Sequence, residues 1–207
     1  MKKVSAAAEV FDRRALTYQE KYMDVSHYGD GLDKLCQLLK PTASILDVAC
    51  GPGNIARYML ARRPDLQWQG TDLAPAMVQL AAANNPTAKF TVADIRNVAA
   101  MNTTVDAIIC GFALPYLDQD AVAAFIHAAF HRLQPGGYLY ISTMEGEYQQ
   151  SALQTSSAGD TLMIYYHHKN DILPLLQQQG FSLYYEQHML NGSTPELILI
   201  AVKPIAL

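Results

Sequence analysis

An apolar run breaks into a glycine-bearing turn and then opens a helix at Ile45-Leu46-Asp47-Val48-Ala49-Cys50-Gly51-Pro52-Gly53-Asn54. Nothing else in the chain constrains the fold as strongly, because strand, tight turn and helix in direct succession form the repeating unit of a parallel α/β sheet. In such a sheet the turn lies at the carboxyl edge of the strands, where ligands bind. Gly51 and Gly53 let the backbone approach a ligand, since a Cβ would block contact or forbid the φ that the turn needs. A tight strand-to-helix turn with no ligand is the alternative that a glycine pair by itself leaves open.

The alternation continues along the chain. Strands are expected over 45–49, 67–71, 89–93, 106–110 and 138–143, and helices over 54–63, 75–84 and 118–133. Each strand is apolar or β-branched and most are bounded by Gly, Pro or Asp, a continuity that fits burial on both faces of a parallel sheet. In the last helix Val122, Phe125, Ile126, Ala129, Phe130 and Leu133 fall at i, i+3, i+4, i+7, i+8 and i+11, with Asp118 placed as N-cap. After an irregular stretch over 145–166, a helix over 168–179 ends at Gly180. Strands over 181–189 and 196–202 follow, and the short, turn-rich link 190–195 makes them an antiparallel pair. Residues 1–40 stand outside this alternation. Phe11, Ala15, Tyr18 and Tyr22 mark one helix face, a second helix over 31–39 carries Leu32, Leu35, Cys36 and Leu39, and together they read as a helical cap.

Composition narrows the function classes. With 207 residues, 50% apolar and 16% charged, the chain has ample core-forming material, so disorder and coiled coil are excluded. The 15 Lys and Arg against 19 Asp and Glu leave a net charge of −4, which gives nucleic-acid binding no global support. Cys36, Cys50 and Cys110 show neither CxxC nor Cys/His spacing; this argues against a disulfide framework and a structural zinc, and fits a reducing cytoplasm. Lys2 and Lys3 precede no apolar stretch of signal length, and the longest apolar run, 107–117, is short of a bilayer span and contains Gly111 and Pro115. Neither export nor a membrane is expected. His127 and His131 have a metal-capable spacing, but without the acidic residue of HExxH or a third ligand they read as a solvated face, so no metal is assigned.

Two acids sharpen the reading of the turn. Asp72 ends the next strand, 21 residues after Gly51, where a carboxylate can accept hydrogen bonds from both hydroxyls of a ribose. At a strand end it is expected to serve the ligand and not the core. Asp94 closes the third strand in Thr91-Val92-Ala93-Asp94-Ile95, where a carboxylate can hold an adenine amino group while Ile95 packs on the ring. Capping explains each acid alone, but not all of these features in order at the ends of strands one, two and three.

The string Leu46-Asp47-Val48-Ala49-Cys50-Gly51-Pro52-Gly53-Asn54, with Gly70-Thr71-Asp72-Leu73-Ala74-Pro75-Ala76-Met77, Ala93-Asp94-Ile95 and Leu133-Gln134-Pro135-Gly136-Gly137-Tyr138-Leu139, resembles the class I S-adenosylmethionine-dependent methyltransferases. The lead-in from Phe11-Asp12 to Tyr18 is similar to their small-molecule branch, which includes ubiquinone and menaquinone C-methyltransferases and trans-aconitate methyltransferase. The motifs cover about residues 10–145. The resemblance implies an α/β fold, a Rossmann-like doubly wound seven-stranded sheet, mostly parallel, with a C-terminal antiparallel hairpin and an N-terminal helical cap. It implies one methyltransferase domain over 1–207, divided into cap (1–40), cofactor-binding core (41–144), substrate-side insertion (145–167) and closing helix with hairpin (168–207).

It also implies S-adenosyl-L-methionine as cofactor, its demethylated form as product, and a small-molecule acceptor, with the protein a cytoplasmic monomer or homodimer. Gly51, Gly53 and Asn54 would then face the methionine moiety, with Asp47 organising the loop and the ammonium end. Asp72 would hold the ribose, with Leu73 and Met77 against the adenosine, and Asp94 and Ile95 would contact adenine. Cys110, Gly111 and Phe112 would line the methyl side, and Tyr18 would close over the cofactor carboxylate, unless it is only one member of the stripe with Phe11, Ala15 and Tyr22. The acceptor pocket is expected from the cap and the insertion, with Tyr18, Tyr22, Tyr28, Tyr148, Tyr165 and Tyr166. Base candidates are His27, Tyr28, Tyr116, Glu145, Glu147, His167 and His168, and none is assigned. Ala113-Leu114-Pro115-Tyr116 ends as the amino-methyltransferase motif does, but Ala113 cannot accept from an exocyclic amine. Two alternatives remain: a non-catalytic module that keeps the cofactor pocket, and an NAD-dependent oxidoreductase, since Gly51-Pro52-Gly53-Asn54-Ile55-Ala56 also satisfies GxGxxG/A.

Overall fold

The computed structural model describes residues 6–100, 103–156 and 158–205. Lys2, Lys3 and the outer ends of the expected cap and closing segment lie outside the described residues. The chain opens with α1 (Ala6–Arg13), α2 (Ala15–Tyr22) and α3 (Gly29–Leu38). Then come β1 (Ser44–Val48), α4 (Asn54–Arg62), β2 (Gln67–Asp72), α5 (Pro75–Asn84), β3 (Lys89–Val92), β4 (Val105–Gly111), α6 (Gln119–Arg132) and β5 (Leu133–Met144). A two-stranded unit, β6 (Ala152–Thr155) with β7 (Thr161–Ile164), precedes α7 (Lys169–Gln179), β8 (Ser182–Asn191) and β9 (Thr194–Val202).

The main sheet has seven strands in the order β3-β2-β1-β4-β5-β9-β8. All pairs are parallel up to β5, and β9 runs antiparallel to both β5 and β8. The expected mostly parallel sheet with its closing hairpin is therefore present. Chain order reverses between β1 and β4, so the crevice beyond their carboxyl ends is the fold's ligand position.

Period-two alternation divides the core. Along β4, Ile108 and Cys110 face a cluster with Phe125, Ile126 and Ala129 of α6, while Ala107 and Ile109 face a second cluster with Leu32 and Leu35 of α3 and Met59 of α4. β9 does the same, with Leu197, Leu199 and Ala201 toward the first cluster and Ile198 and Ile200 toward the second. Both faces are covered, which is why these strands read as unbroken apolar runs. The Asp118 carboxylate accepts from Ala121 N at 2.9 Å and starts α6 as an N-cap.

Two expectations are corrected. The stretch over 145–166 is not irregular throughout, because β6 and β7 pair across it; every residue of β6 is exposed, so no apolar alternation marks it in the sequence. The helix face from Phe11 to Tyr22 is carried by two helices that break at Arg14 (φ −103°, ψ 11°). Arg13 and Arg14 both reach Asp160, at 2.6 and 2.8 Å, tying the cap to the loop between β6 and β7. Ile126 is fully buried. Its truncation to Ala is expected to cost about 2–5 kcal/mol, read as a lower urea midpoint with an unchanged slope.

Candidate functional site

The turn after β1 owes its shape to left-handed backbone at every second residue. Ala49, Gly51 and Gly53 have φ of 53°, 54° and 77°. Cys50 N donates to Thr71 O at 2.9 Å, and Gly51 N donates to Asp72 Oδ2 at 2.9 Å. From α5, Asn84 Nδ2 donates to Pro52 O and Asn85 Nδ2 to Gly53 O, at 2.9 and 3.0 Å. At the end of the neighbouring β4, Phe112 is left-handed too (φ 54°), its amide held by Ser142 O and Oγ at 3.0 and 3.1 Å. Left-handed φ is costly for residues with a Cβ, and here Ala49 and Phe112 flank the switch point.

Two cavities meet above this turn. The first, of about 360 Å³, is lined by Asp72, Leu73, Asp94, Ile95 and Arg96 just beyond the strand ends, by Met77 of α5, by Phe11 of α1 and by Met163 of β7. The second, of about 470 Å³, lies toward Asp47, Asn54, Tyr22, His27, Tyr28 and Glu196. Tyr18, Ala49, Gly51, Gly111, Phe112 and Tyr116 line both. Tyr116, Phe11, Tyr18 and Tyr22 form a chain of ring contacts with centroids 5.0, 5.7 and 4.7 Å apart. Tyr18 thus belongs to the apolar stripe and also borders both cavities. Burial pushes its hydroxyl up, and that of Tyr116 up to about 12, so both stay protonated at neutral pH.

Of the thirteen residues expected at the site, eleven line one cavity or both, while Gly53 and Cys110 line neither. Cys110 is fully buried in the α6-facing core, and burial raises its thiol. Gly53 packs beneath the turn, where a Cβ would come within 2.4 Å of Asn85 Nδ2 and 3.1 Å of the Ala81 backbone. A Cβ on Gly51 would instead meet only the Tyr18 ring, at 3.8 Å. The two glycines do different work.

Asp47 is 1% exposed, and its Oδ2 has no hydrogen-bond partner. Burial first, and the neighbouring Asp72 second, raise its carboxyl well above the ordinary range; the Trp68 indole N–H offsets this in part but completes no hydrogen bond. Asp72 binds Gly51 N with Oδ2 and Ala74 N with Oδ1, both at 2.9 Å. It therefore organises the turns as well as facing the cavity, a structural role that its position at a strand end did not announce. Burial raises its carboxyl, and the amides of Ala74, Gly51 and Leu73 pull it back. Asp94 holds the Arg96 guanidinium through both oxygens. Asn54 anchors α2, its Nδ2 donating to Tyr22 O at 2.9 Å.

Among the base candidates, His27 and Tyr28 line the second cavity and Tyr116 both. Glu145, Glu147, His167 and His168 line neither. His167 is buried with Nε2 3.0 Å from the carbonyls of Leu114 and Leu117, and His168 caps α7. Of the expected acceptor-pocket aromatics, Tyr148 and Tyr166 also lie outside both cavities. His127 and His131 are exposed, ring against ring, with centroids 4.6 Å apart. Three contributors had no role expected from the sequence: Asp12, whose carboxylate accepts from Ala76 N at 2.7 Å and docks α1 on α5; Asn85 under the turn; and Glu196.

The family model described as a methyltransferase domain matches residues 45–137, from β1 to the glycines within β5. Over those residues the chain is similar to methyltransferase domains. Among curated relatives, the malonyl-[acyl-carrier protein] O-methyltransferase of Hahella chejuensis is 31% identical over 142 residues, covering 68% of this chain and 50% of that protein. The trans-aconitate 2-methyltransferase of Variovorax paradoxus is 34% identical over 104 residues, covering 50% and 39%. The chain matches half or less of the length of those two relatives. In fold it is similar to the DhpI–SAH complex (TM-score 0.77, 17% identity, 99% and 98% covered). It is also similar to magnesium protoporphyrin IX methyltransferase from Synechocystis with bound SAM (TM-score 0.75, 17% identity, 98% and 99% covered).

Two outcomes follow from the placement of these residues in the turn after β1. Gly53→Ala adds left-handed strain to a collision under α5 and is expected to lower stability by roughly 2–5 kcal/mol in urea unfolding, whereas Gly51→Ala costs only the strain, about 1–2 kcal/mol. Because folding raises the Asp47 carboxyl, the native state binds more protons than the unfolded chain, so Asp47 makes stability fall as pH rises above the ordinary carboxylate range. Asp47→Asn is therefore expected to raise the melting temperature of the ligand-free protein at pH 7.5. The gain should shrink as pH falls into the ordinary carboxylate range, below which Asp47 is neutral in the folded and the unfolded chain alike.

Proposed function

We propose that this chain moves a methyl group from S-adenosyl-L-methionine to a small-molecule acceptor. The observation that carries the reading is the buried Asp47 carboxylate, partnerless at Oδ2, in the second cavity, which meets the first, lined by Asp72, across the glycine turn. A cationic amino-acid end suits Asp47, and a ribose suits Asp72, whose oxygens keep lone pairs free beside the two amides they already bind. Leu73 and Met77 then flank the adenosine, Asp94 and Ile95 meet the adenine, and Gly51, Asn54, Gly111, Phe112 and Tyr18 surround the methionine end. When bound, the cofactor supplies a methyl group already activated on a sulfonium.

The protein's work is therefore to orient and to exclude water. Tyr18, Phe112 and Tyr116 wall the junction of the cavities, and the paired Arg13, Arg14 and Asp160 hold α1 near the loop that leads to β7. The cap (1–40) and the substrate-side segment (145–167) serve in this reading as additions to one methyltransferase domain. The names of the relatives, which bring a malonyl group and aconitate, support a small acceptor. The net charge of −4 supports a partner other than nucleic acid, and three free, buried cysteines support a reducing cytoplasm, with the protein a monomer or homodimer. Among the described residues no helix is long and apolar enough to cross a membrane.

Calorimetric titration with S-adenosylmethionine, its demethylated product and NAD tests the reading. Binding of the first two and not of NAD is expected. Asp72→Asn, which keeps one acceptor oxygen, should weaken that binding about 10- to 100-fold, as for a lost hydrogen bond to a charged group. A response to NAD alone would overturn the reading in favour of an oxidoreductase. Cofactor binding without turnover across a broad acceptor panel would favour the non-catalytic module.

A further inference from the structure

The second cavity contains an acid that the transfer described above does not use. Glu196 stands near the start of β9, and because β9 runs antiparallel to β5 it pairs with Met144 at the carboxyl edge of the sheet. It is 5% exposed. Its Oε1 accepts from the Tyr28 hydroxyl at 3.4 Å and from Asn191 Nδ2 at 3.2 Å, while Oε2 has no hydrogen-bond partner. Burial raises its carboxyl, and Asn191, Tyr28 and the nearby His27 act in the opposite direction. A buried acceptor oxygen without a donor is costly, and one that belongs to a cavity wall is relieved by a ligand that brings a donor.

The rest of the wall agrees on the sign. Tyr22, Tyr28 and Tyr140 line this cavity beside the shared rings of Tyr18, Phe112 and Tyr116, with Tyr28 packed on Phe112 at 4.8 Å between centroids. Among the described residues its acids are Asp24, Asp47 and Glu196, Lys21 is its single lysine, and no arginine lines it. A carboxylate acceptor would thus meet a buried acid of like charge and no guanidinium fork. An amine or a hydroxyl meets an acceptor oxygen and aromatic faces.

We propose that Glu196 is the acceptor-binding residue and that the acceptor presents an N–H or O–H group to it, in contrast to the malonyl group and aconitate in the names of the relatives. The proposal rests on the methyl-transfer reading of the site. As the acceptor heteroatom bonds the methyl carbon, the electron pair of the broken carbon–sulfur bond stays on sulfur, and the acceptor's proton passes to the Glu196 carboxylate. Tyr28 and Asn191 fix Oε1, so the carboxylate is already oriented when the acceptor arrives.

The test uses the full chain saturated with S-adenosylhomocysteine and titrated with benzylamine, phenol and benzoate. Benzylamine or phenol is expected to bind, which of the two does so identifying the donor, and benzoate is not. Glu196→Gln should weaken that binding tenfold or more while S-adenosylhomocysteine affinity is retained, which also shows that the variant is folded. Should the glutamine variant fail to fold, Glu196→Asp, which draws the carboxylate back by one carbon, is expected to weaken the donor several-fold. Preferred binding of benzoate, silence from both donors, or unchanged affinity in the Glu196 variant would overturn the proposal. Failure of S-adenosylhomocysteine to bind the unmodified chain would instead remove the methyl-transfer reading, and this proposal with it.

Discussion

The Asp72 carboxylate joins two turns that the sheet leaves free, one oxygen accepting from Gly51 N after β1 and the other from Ala74 N after β2. Parallel strands hydrogen-bond only along their length, so the loops beyond their carboxyl ends need separate anchors. Here one side chain anchors two loops, with Asn84 and Asn85 holding the far side of the first. These anchors keep Ala49 and Gly51 in left-handed backbone, and Ser142 does the same for Phe112 on the neighbouring strand. An alanine or phenylalanine so placed is disfavoured by about 1–2 kcal/mol. Strain of that size persists only where the surroundings over-determine it, and Ala49 and Phe112 both border the two cavities. The site is built before any ligand enters, which lowers the ordering cost of binding.

The cap is attached differently. Asp12 accepts from Ala76 N at the start of α5, where it meets an otherwise unpaired amide and a favourable helix dipole. Farther along, Arg13 and Arg14 converge on Asp160, but both arginine side chains are well exposed, at 58% and 41%. Exposed ion pairs of this kind contribute little, and salt weakens them further. One edge of the cap is thus fixed to α5 while the edge that reaches the loop between β6 and β7 is held weakly. The first cavity lies between them, with α1 and β7 both in its wall.

Legibility in the sequence followed burial. Strands such as β4 and β9 are covered on both faces, so their apolar runs announced them, and the glycine turn with its ordered acids announced the first cavity. β6 is exposed throughout and leaves no such trace. Gly53 and Cys110 sit in motif positions, yet their surroundings are protein on every side, because a motif records spacing along the chain and not direction in space. Glu196 shows the converse. Along the chain it is one acid before an apolar run, far from every motif, and only the antiparallel pairing of β9 with β5 carries it to the carboxyl edge of the sheet. Helix and strand periods are local properties, whereas that juxtaposition depends on strand order.

Asp47 and Glu196 give the second cavity its character. Each is nearly inaccessible, each has one oxygen without a partner, and burial raises both carboxyls. In the empty protein such groups are a liability, since ionising them costs solvation that the interior does not replace. A chain selected for stability alone would carry an amide or an apolar side chain at either position. Their retention is intelligible if ligands supply what the fold withholds: a positive charge at Asp47 and a hydrogen-bond donor at Glu196. Binding then stabilises the folded chain by more than its contacts alone, because it also removes a penalty already present. The two acids also divide the labour. One lies beside the glycine turn, and the other stands where the closing hairpin meets the cap, its Oε1 accepting from the Tyr28 hydroxyl.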